Sequence, residues 1–350
     1  MNYIKESALF SALFFLYVGG VKMNTELLDK LKELAKKEIC LNDLCKMLNL
    51  NEYEILSLVV ELRKEGINII TKRKDDDIYM FNQGEKDPLE DNSYSFKTND
   101  KHEISFVVIS DTRFGSKAQQ LSILNDIYSN ANKMGIKNIL HCGNISEGLY
   151  SINNKYAHTL FLDDTWIQVN YIAENYPKID GIKTYFITGV KDETHLKKNK
   201  INIGKRISEA REDMIYLGAN TCNIYIDKVE ALMLNLNLAK TYTTSYRPQQ
   251  IINSFRSEDK PDIILYGGLL QMEKFNYRDV QCITIPSVTA TTEEMIQKRY
   301  SNTIGVWYIN IKTNEKGFLE SLNAVASPYY VTNKDDYAKA KVLKLTKERM

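Results

Sequence analysis

From Asn24 onward the apolar positions recur first with helical spacing. Leu27, Leu28, Leu31 and Leu34 fall on one face, with Lys and Glu between them. A second short helix is predicted over Leu41–Leu48, and Asn49-Leu50-Asn51 reads as a turn. Asn51 can cap a third helix over Glu52–Lys64 whose apolar face is Ile55, Leu58, Val59 and Leu62. Gly66 ends that helix, and Ile67–Ile70 and Ile78–Phe81 read as two strands around the polar tip Thr71–Asp77. After a polar, turn-rich stretch over residues 82–101, in which Tyr94 and Phe96 alternate with polar residues, buried runs alternate with helical ones. Ile104–Ser110, Lys137–Cys142, Lys183–Thr188 and Ile263–Tyr266 are predicted strands, and Leu121–Met134 and Tyr156–Tyr176 predicted helices. Cys222–Asp227, Val229–Leu236, Val280–Ile285 and Thr303–Ile311 add strands with little helix between them.

Three helices followed by a hairpin is the order of a winged-helix domain, a helix-turn-helix variant. The alternation that follows predicts an α/β layered domain, and its later strands predict a second sheet, hence a four-layer αββα sandwich. The expected organisation is a winged-helix domain over 23–82, a linker over 83–102, the sandwich domain over 103–323 and a charged tail over 324–350 with no evident core face. Residues 1–22 form either an apolar leader or a non-native extension. Ala8–Val18 is too short to span a bilayer and no A-x-A cleavage site follows it. Gly19–Lys22 can be encoded as a ribosome-binding site just ahead of Met23, so either Met1 or Met23 can be the true start.

Composition narrows the function classes. A net charge of +1 leaves no global basic field to draw in nucleic acid, so any such contact needs a local patch. The five cysteines are odd in number and lack a C-x-x-C pair, which argues against a disulfide framework and a cysteine zinc site. Reduced buried thiols in a cytoplasmic protein fit better, with no membrane partner.

The candidate chemistry sits at strand ends. Ser110-Asp111-Thr112-Arg113-Phe114-Gly115, His141-Cys142-Gly143-Asn144-Ile145, Thr188-Gly189-Val190-Lys191-Asp192-Glu193 and Tyr266-Gly267-Gly268-Leu269-Leu270 each follow a predicted strand directly. That is where open α/β sheets build sites. This order and spacing resembles the calcineurin-like metallophosphoesterases over roughly Ile104–Leu322. Their motifs run Asp-x-His, Gly-Asp, Gly-Asn-His-Asp/Glu, a lone His, then Gly-His-x-His. ITGVKDETH with INIGKRISEAREDMIYLG, and SYRPQQIINSF ahead of KPDIILYGG, are similar to a phage and mobile-element subgroup that often carries a winged helix in front. The family holds two metals about 3.5–4 Å apart to clamp a phosphoester.

Set against that pattern, Asp111 alone is a full match. Arg113 stands for a histidine ligand, Asn144 for the bridging aspartate, Val190 for a ligand asparagine and Lys191 for the histidine that protonates the leaving group. The lone histidine falls near Leu238-Ala239-Lys240, where there is none, and Gly268 and Leu270 replace the last two histidines. Protonated Arg and Lys offer no lone pair, and one carboxylate with an amide cannot neutralise two divalent ions. The resemblance therefore implies a degenerate member that needs no cofactor. His141 and His195 remain as displaced ligands, and an active phosphodiesterase or nuclease using manganese or another divalent metal at Asp111, Asn144, Asp192 and His195 is the alternative. Arg113, Lys191 and Lys240 put cations where cations were once bound. They either bind phosphate or a nucleic-acid backbone, or fill the site by pairing, Arg113 with Asp111 or Asp192. The winged helix implies DNA through Arg63, Lys64, Lys72, Arg73 and Lys74, or a protein partner, since Glu52, Glu54 and Glu61 on the third helix repel phosphate. A homo-oligomer is a further arrangement.

Overall fold

A computed structural model of the chain describes residues 25–35, 39–64, 67–74, 77–85, 92–150, 160, 164–236 and 243–340. The expected leader or extension at 1–22 lies outside them, as does Lys240. The described residues form two compact units that divide between residues 90 and 91.

The first unit contains α1 (Thr25–Leu34), β1 (Ile39–Cys40), α2 (Leu41–Leu48), α3 (Glu52–Lys64), β2 (Ile67–Lys74) and β3 (Asp77–Glu85). Its strands form an antiparallel sheet in the order β1-β3-β2. The α3 face Ile55, Leu58, Val59 and Leu62 is fully buried against Leu28, Leu31, Leu44 and Met80. Asn51 starts α3 with a reciprocal cap: its side-chain oxygen accepts from the Glu54 N–H at 3.0 Å, and the Glu54 carboxylate accepts from the Asn51 N–H at 2.8 Å. The hairpin strands run on into the polar stretch that reads as a turn, because the Thr71–Lys74 ladder needs only backbone groups.

The second unit is built on two six-stranded sheets. One has the order β15-β14-β5-β6-β7-β8, from β5 (Glu103–Ile109), β6 (Asn138–Cys142), β7 (Lys183–Thr188), β8 (Met214–Ala219), β14 (Gly305–Thr313) and β15 (Leu319–Pro328). The other has the order β12-β13-β11-β10-β9-β4, from β4 (Ser93–Phe96), β9 (Thr221–Ile226), β10 (Val229–Leu234), β11 (Ile263–Tyr266), β12 (Glu273–Tyr277) and β13 (Val280–Thr284). The helices are α4 (Leu121–Lys133), α5 (Thr165–Asn175), α6 (Glu193–Asn199), α7 (Ile203–Ala210), α8 (Tyr246–Ser254) and α9 (Glu293–Gln297).

Strand alternation fixes the layers. Phe106 and Val108 of β5 enter a core shared with Ile224, Met233, Ile263 and Leu265, so the two sheets face each other. Val107 and Ile109 enter the opposite core with Leu124, Ile127 and Ile172, so α4 and α5 cover the outer face. Leu232, Ile264 and Cys282 meet Ile252 of α8 on the far side. The result is a mixed α/β sandwich.

Several element bounds differ from expectation. The segment read as a linker holds β4, whose Tyr94 packs at a tilt against Tyr185 and whose Phe96 packs edge-on against Phe106. Of the helix expected over Tyr156–Tyr176, residues 156–159 and 161–163 lie outside the described residues; the described helix runs over Thr165–Asn175, and the Asp164 side chain accepts from the Ile167 N–H and caps it. β15 continues past residue 323 to Pro328. The tail has a buried anchor: Asp336 accepts from both the N–H and hydroxyl of Ser122 at 2.7 Å and so caps the start of α4.

Candidate functional site

The loops leaving β5, β6, β7, β10 and β11 converge at the carboxyl ends of their strands. The Asp111 N–H donates to the Gly143 carbonyl, the Lys191 N–H to the Asn144 side-chain oxygen, and the Gly268 N–H to Asp111 Oδ2, at 3.0, 2.9 and 3.1 Å. Asp111, Arg113, Asn144 and Leu270 all have left-handed backbone, with φ of 51, 46, 57 and 61°. Such a conformation costs a non-glycine residue about 1–2 kcal/mol and clusters where a site dictates the backbone. Glycine is required beside them. A Cβ on Gly189 would sit 2.6 Å from the side-chain oxygens of both Asn144 and Asn235, and one on Gly267 would sit 2.0 Å from the Cys142 carbonyl.

Asp111 is fully buried and both of its carboxylate oxygens accept hydrogen bonds. Oδ1 accepts from Arg113 Nε at 3.1 Å, Arg113 Nη2 at 3.0 Å and Asn144 Nδ2 at 3.0 Å, while Oδ2 accepts from Ser110 Oγ at 2.9 Å and from the Gly268 N–H. Burial works to lower the Arg113 pKa, but Asp111 and Glu147 more than offset it and hold the guanidinium above its ordinary value. A second pair lies next to the first. Lys191 Nζ donates to the fully buried Glu147 at 2.9 Å and to the Tyr150 hydroxyl, which itself donates to Glu147. Burial works to raise the Glu147 carboxyl, and Lys191 and Arg113 outweigh it, so it lies below its usual range. Two acids and two bases thus balance within one buried cluster. The Arg113 and Lys191 side chains are 9% and 23% exposed, so little of either cation faces solvent.

Asp192 takes no part in that cluster. Its carboxylate ties the loops together, accepting from the N–H groups of Ile145, Ser146 and Gly189 and from Ser146 Oγ at 2.6 Å. Burial nevertheless outweighs those bonds and lifts its pKa to about 6. His195 is buried between the hydroxyls of Thr165 and Ser146, at 2.9 and 3.2 Å, and burial lowers its pKa to about 4. His141 meets the Thr112 hydroxyl at 2.9 Å and is lowered by burial to about 3.

The arrangement therefore brings together Asp111, Arg113, Asn144, Gly268 and, through Asn144, the Lys191 backbone. His195 and Asp192 sit behind the loops and brace them. Leu270 is buried apolar surface. The side chains of Arg63, Lys64, Lys72, Arg73 and Lys74 lie outside the described residues. Sequence reasoning missed Asn235, the first residue after β10, which enters the site ahead of the Leu238–Lys240 stretch and donates to the Cys142 carbonyl at 2.6 Å. It also missed Glu147, although an acid three residues after Asn144 is the natural counter-ion for Lys191.

These donors do not fit a pair of divalent metals. Both oxygens of Asp111 and of Asp192 accept from protein donors, and on Asp111 Oδ1 one of those donors is the Arg113 guanidinium, a cation already in place. Among the described residues no three His, Cys, Asp or Glu side chains are grouped to hold an ion.

Comparison with known proteins returns no matching family model and no matching curated protein. Among solved structures, an archaeal phosphodiesterase is 12% identical over 64% of this chain and 100% of its own, with a TM-score of 0.36. A predicted phosphoesterase from Streptococcus pneumoniae is 9% identical over 64% of this chain and 98% of its own, at 0.32. Vps29 from Entamoeba histolytica with bound zinc is 13% identical over 64% and 99%, at 0.35. Likeness of this degree assigns no role to any residue.

Proposed function

We propose that this protein is a catalytically degenerate calcineurin-like phosphoesterase that works as a binding or scaffold protein, with an N-terminal winged helix. The observation that carries this reading is the ion-paired Asp111 carboxylate: the one acid that matches the family's metal-ligand pattern accepts from Arg113, Asn144 and Gly268. The left-handed backbone at Asp111, Arg113, Asn144 and Leu270 supports descent from a working site, since the strain persists while the ligands have changed. Arg113 and Lys191 act as internal counter-ions, so the site is closed by charge pairing and does not serve as an anion receptor.

For the first unit, three helices with a β1-β3-β2 sheet support the winged-helix reading. The exposed face of α3 carries Glu52, Tyr53, Glu54 and Val60, which suits a protein partner better than the phosphate-lined major groove.

The test is hydrolysis of bis-p-nitrophenyl phosphate with manganese. Wild type and Asp111→Ala should both match the protein-free blank. Manganese-dependent release that disappears in Asp111→Ala would establish the active alternative.

A further inference from the structure

β15 lies at one end of its six-stranded sheet, and among the described residues no strand pairs with its outer side. Alternation along β14 shows which backbone groups are left open there. The Gly305 and Thr313 N–H groups point to Ser287 and His102, on the β5 side, while the Ile304 carbonyl accepts from the Tyr329 N–H on the other. Val306, Tyr308, Asn310 and Lys312 therefore face β15 and bond to the residues opposite them, Ser327, Val325, Asn323 and Ser321. Leu322, Ala324, Ala326 and Pro328 turn their backbone groups outward.

A bare edge templates another strand, so edges are normally guarded by charge, internal proline or short length. β15 has little of this. It runs ten residues, longer than any other described strand. Its one charged residue, Glu320, is held by Lys312 of β14 at 2.8 Å, and its one proline is its last residue. Val325 is 53% exposed, and Phe318 just before the strand and Tyr330 and Val331 just after it are exposed as well. The open groups also complement themselves. Lys274 Nζ donates to the Leu322 carbonyl at 3.2 Å, which leaves Leu322 its N–H to offer. Pro328 has no N–H and is left with its carbonyl.

We propose that this edge is an interface between two copies of the chain, joined antiparallel, β15 to β15, about a twofold axis at Val325. In that register Leu322 lies opposite the partner copy's Pro328, donor to acceptor, and Ala324 lies opposite the partner copy's Ala326, so that each exchanges both of its backbone bonds. Val325 meets its own copy as a non-hydrogen-bonded pair, the kind that brings side chains closest. The exposed Phe318 at one end of the strand approaches the exposed Tyr330 and Val331 at the other end of its copy, and no like charges are set opposite. The pairing does not involve the strand-end site, so it stands or falls apart from the function proposed for that site.

Sedimentation velocity of the full-length protein at micromolar concentration tests the interface, and a dimer is expected. Val325→Lys sets two ammonium groups face to face and should weaken dimerisation about tenfold or more. Ala326→Pro removes an outward N–H while leaving the β14 ladder whole, and should weaken it too. Mild oxidation with oxidised glutathione reads the register. Val325→Cys should form a disulfide between copies, because the twofold axis brings its two Cα atoms within bridging distance. Asn323→Cys, opposite the partner copy's Ser327, should not exceed the background that wild type sets with its own free cysteines. A monomeric wild type, a dimer that both Val325→Lys and Ala326→Pro leave intact, or crosslinking of Asn323→Cys equal to that of Val325→Cys would each overturn the proposal. Matching far-UV spectra establish that the variants remain folded.

Discussion

At the scale of single residues, the site depends on an ion pair that cannot lose one member cheaply. Removing Arg113 leaves the buried Asp111 carboxylate with its three other donors and no cation. Breaking a buried pair from one side typically costs 3–5 kcal/mol, so Arg113→Ala should lower unfolding stability by about 3 kcal/mol, while Asp111→Ala/Arg113→Ala should cost less than the two single losses combined. Urea denaturation of the three variants checks this, and additive losses would contradict it. The buried histidines set the pH dependence. Their folded pKa values, about 3 for His141 and about 4 for His195, lie below the ordinary 6.5. The unfolded chain therefore binds protons first, and stability is lost as pH falls from about 6.5. Asp192 acts in the opposite direction: its folded value of about 6 exceeds 3.8, so its cost is relieved as pH falls through 6. The two histidines outweigh the one acid, and stability should be lower at pH 5 than at pH 7 by on the order of 2 kcal/mol. A urea midpoint that rises on acidification would contradict that sum, and His195→Gln should flatten the slope.

At the scale of elements, loop closure depends on glycine. Gly189→Ala forces a methyl against Asn144 and Asn235, and should cost about 1–3 kcal/mol as the loops after β6, β7 and β10 shift. In the first unit, Asn51→Ala removes the α3 cap and should cost about 1 kcal/mol, read as faster amide exchange in the first turn of α3. Unchanged exchange would mean that the cap carries no energy. These elements were legible in the sequence because their signals are local. The α3 stripe, the Asn51 cap and the apolar runs of β5, β7 and β11 are spelled out by spacing alone. β15 was missed because LESLNAVASP, an edge strand, buries only part of one face. β12 was missed for the same reason, and β8 because Gly218 interrupts its run. The Asp336 cap on α4 joins residues more than 200 positions apart, which periodicity cannot see. In the site, Asp111, Arg113 and Asn144 were found from strand-end position. Asn235 and Glu147 were missed because their roles arise only when separate loops meet.

At the scale of the whole molecule, a chain of net charge +1 also balances charge inside its strand-end site, Asp111 with Arg113 and Glu147 with Lys191. Among the described residues no helix is long and apolar enough to cross a membrane. In the proposed reading Asp111 is held by Arg113, Asn144 and Gly268 and ligates no metal. The most direct measurement is the metal content of the full-length protein after incubation with manganese or zinc and desalting, with Asp111→Ala in parallel. The same trace level is expected in both; a stoichiometric pair of ions retained by wild type and lost from Asp111→Ala would contradict the proposed function.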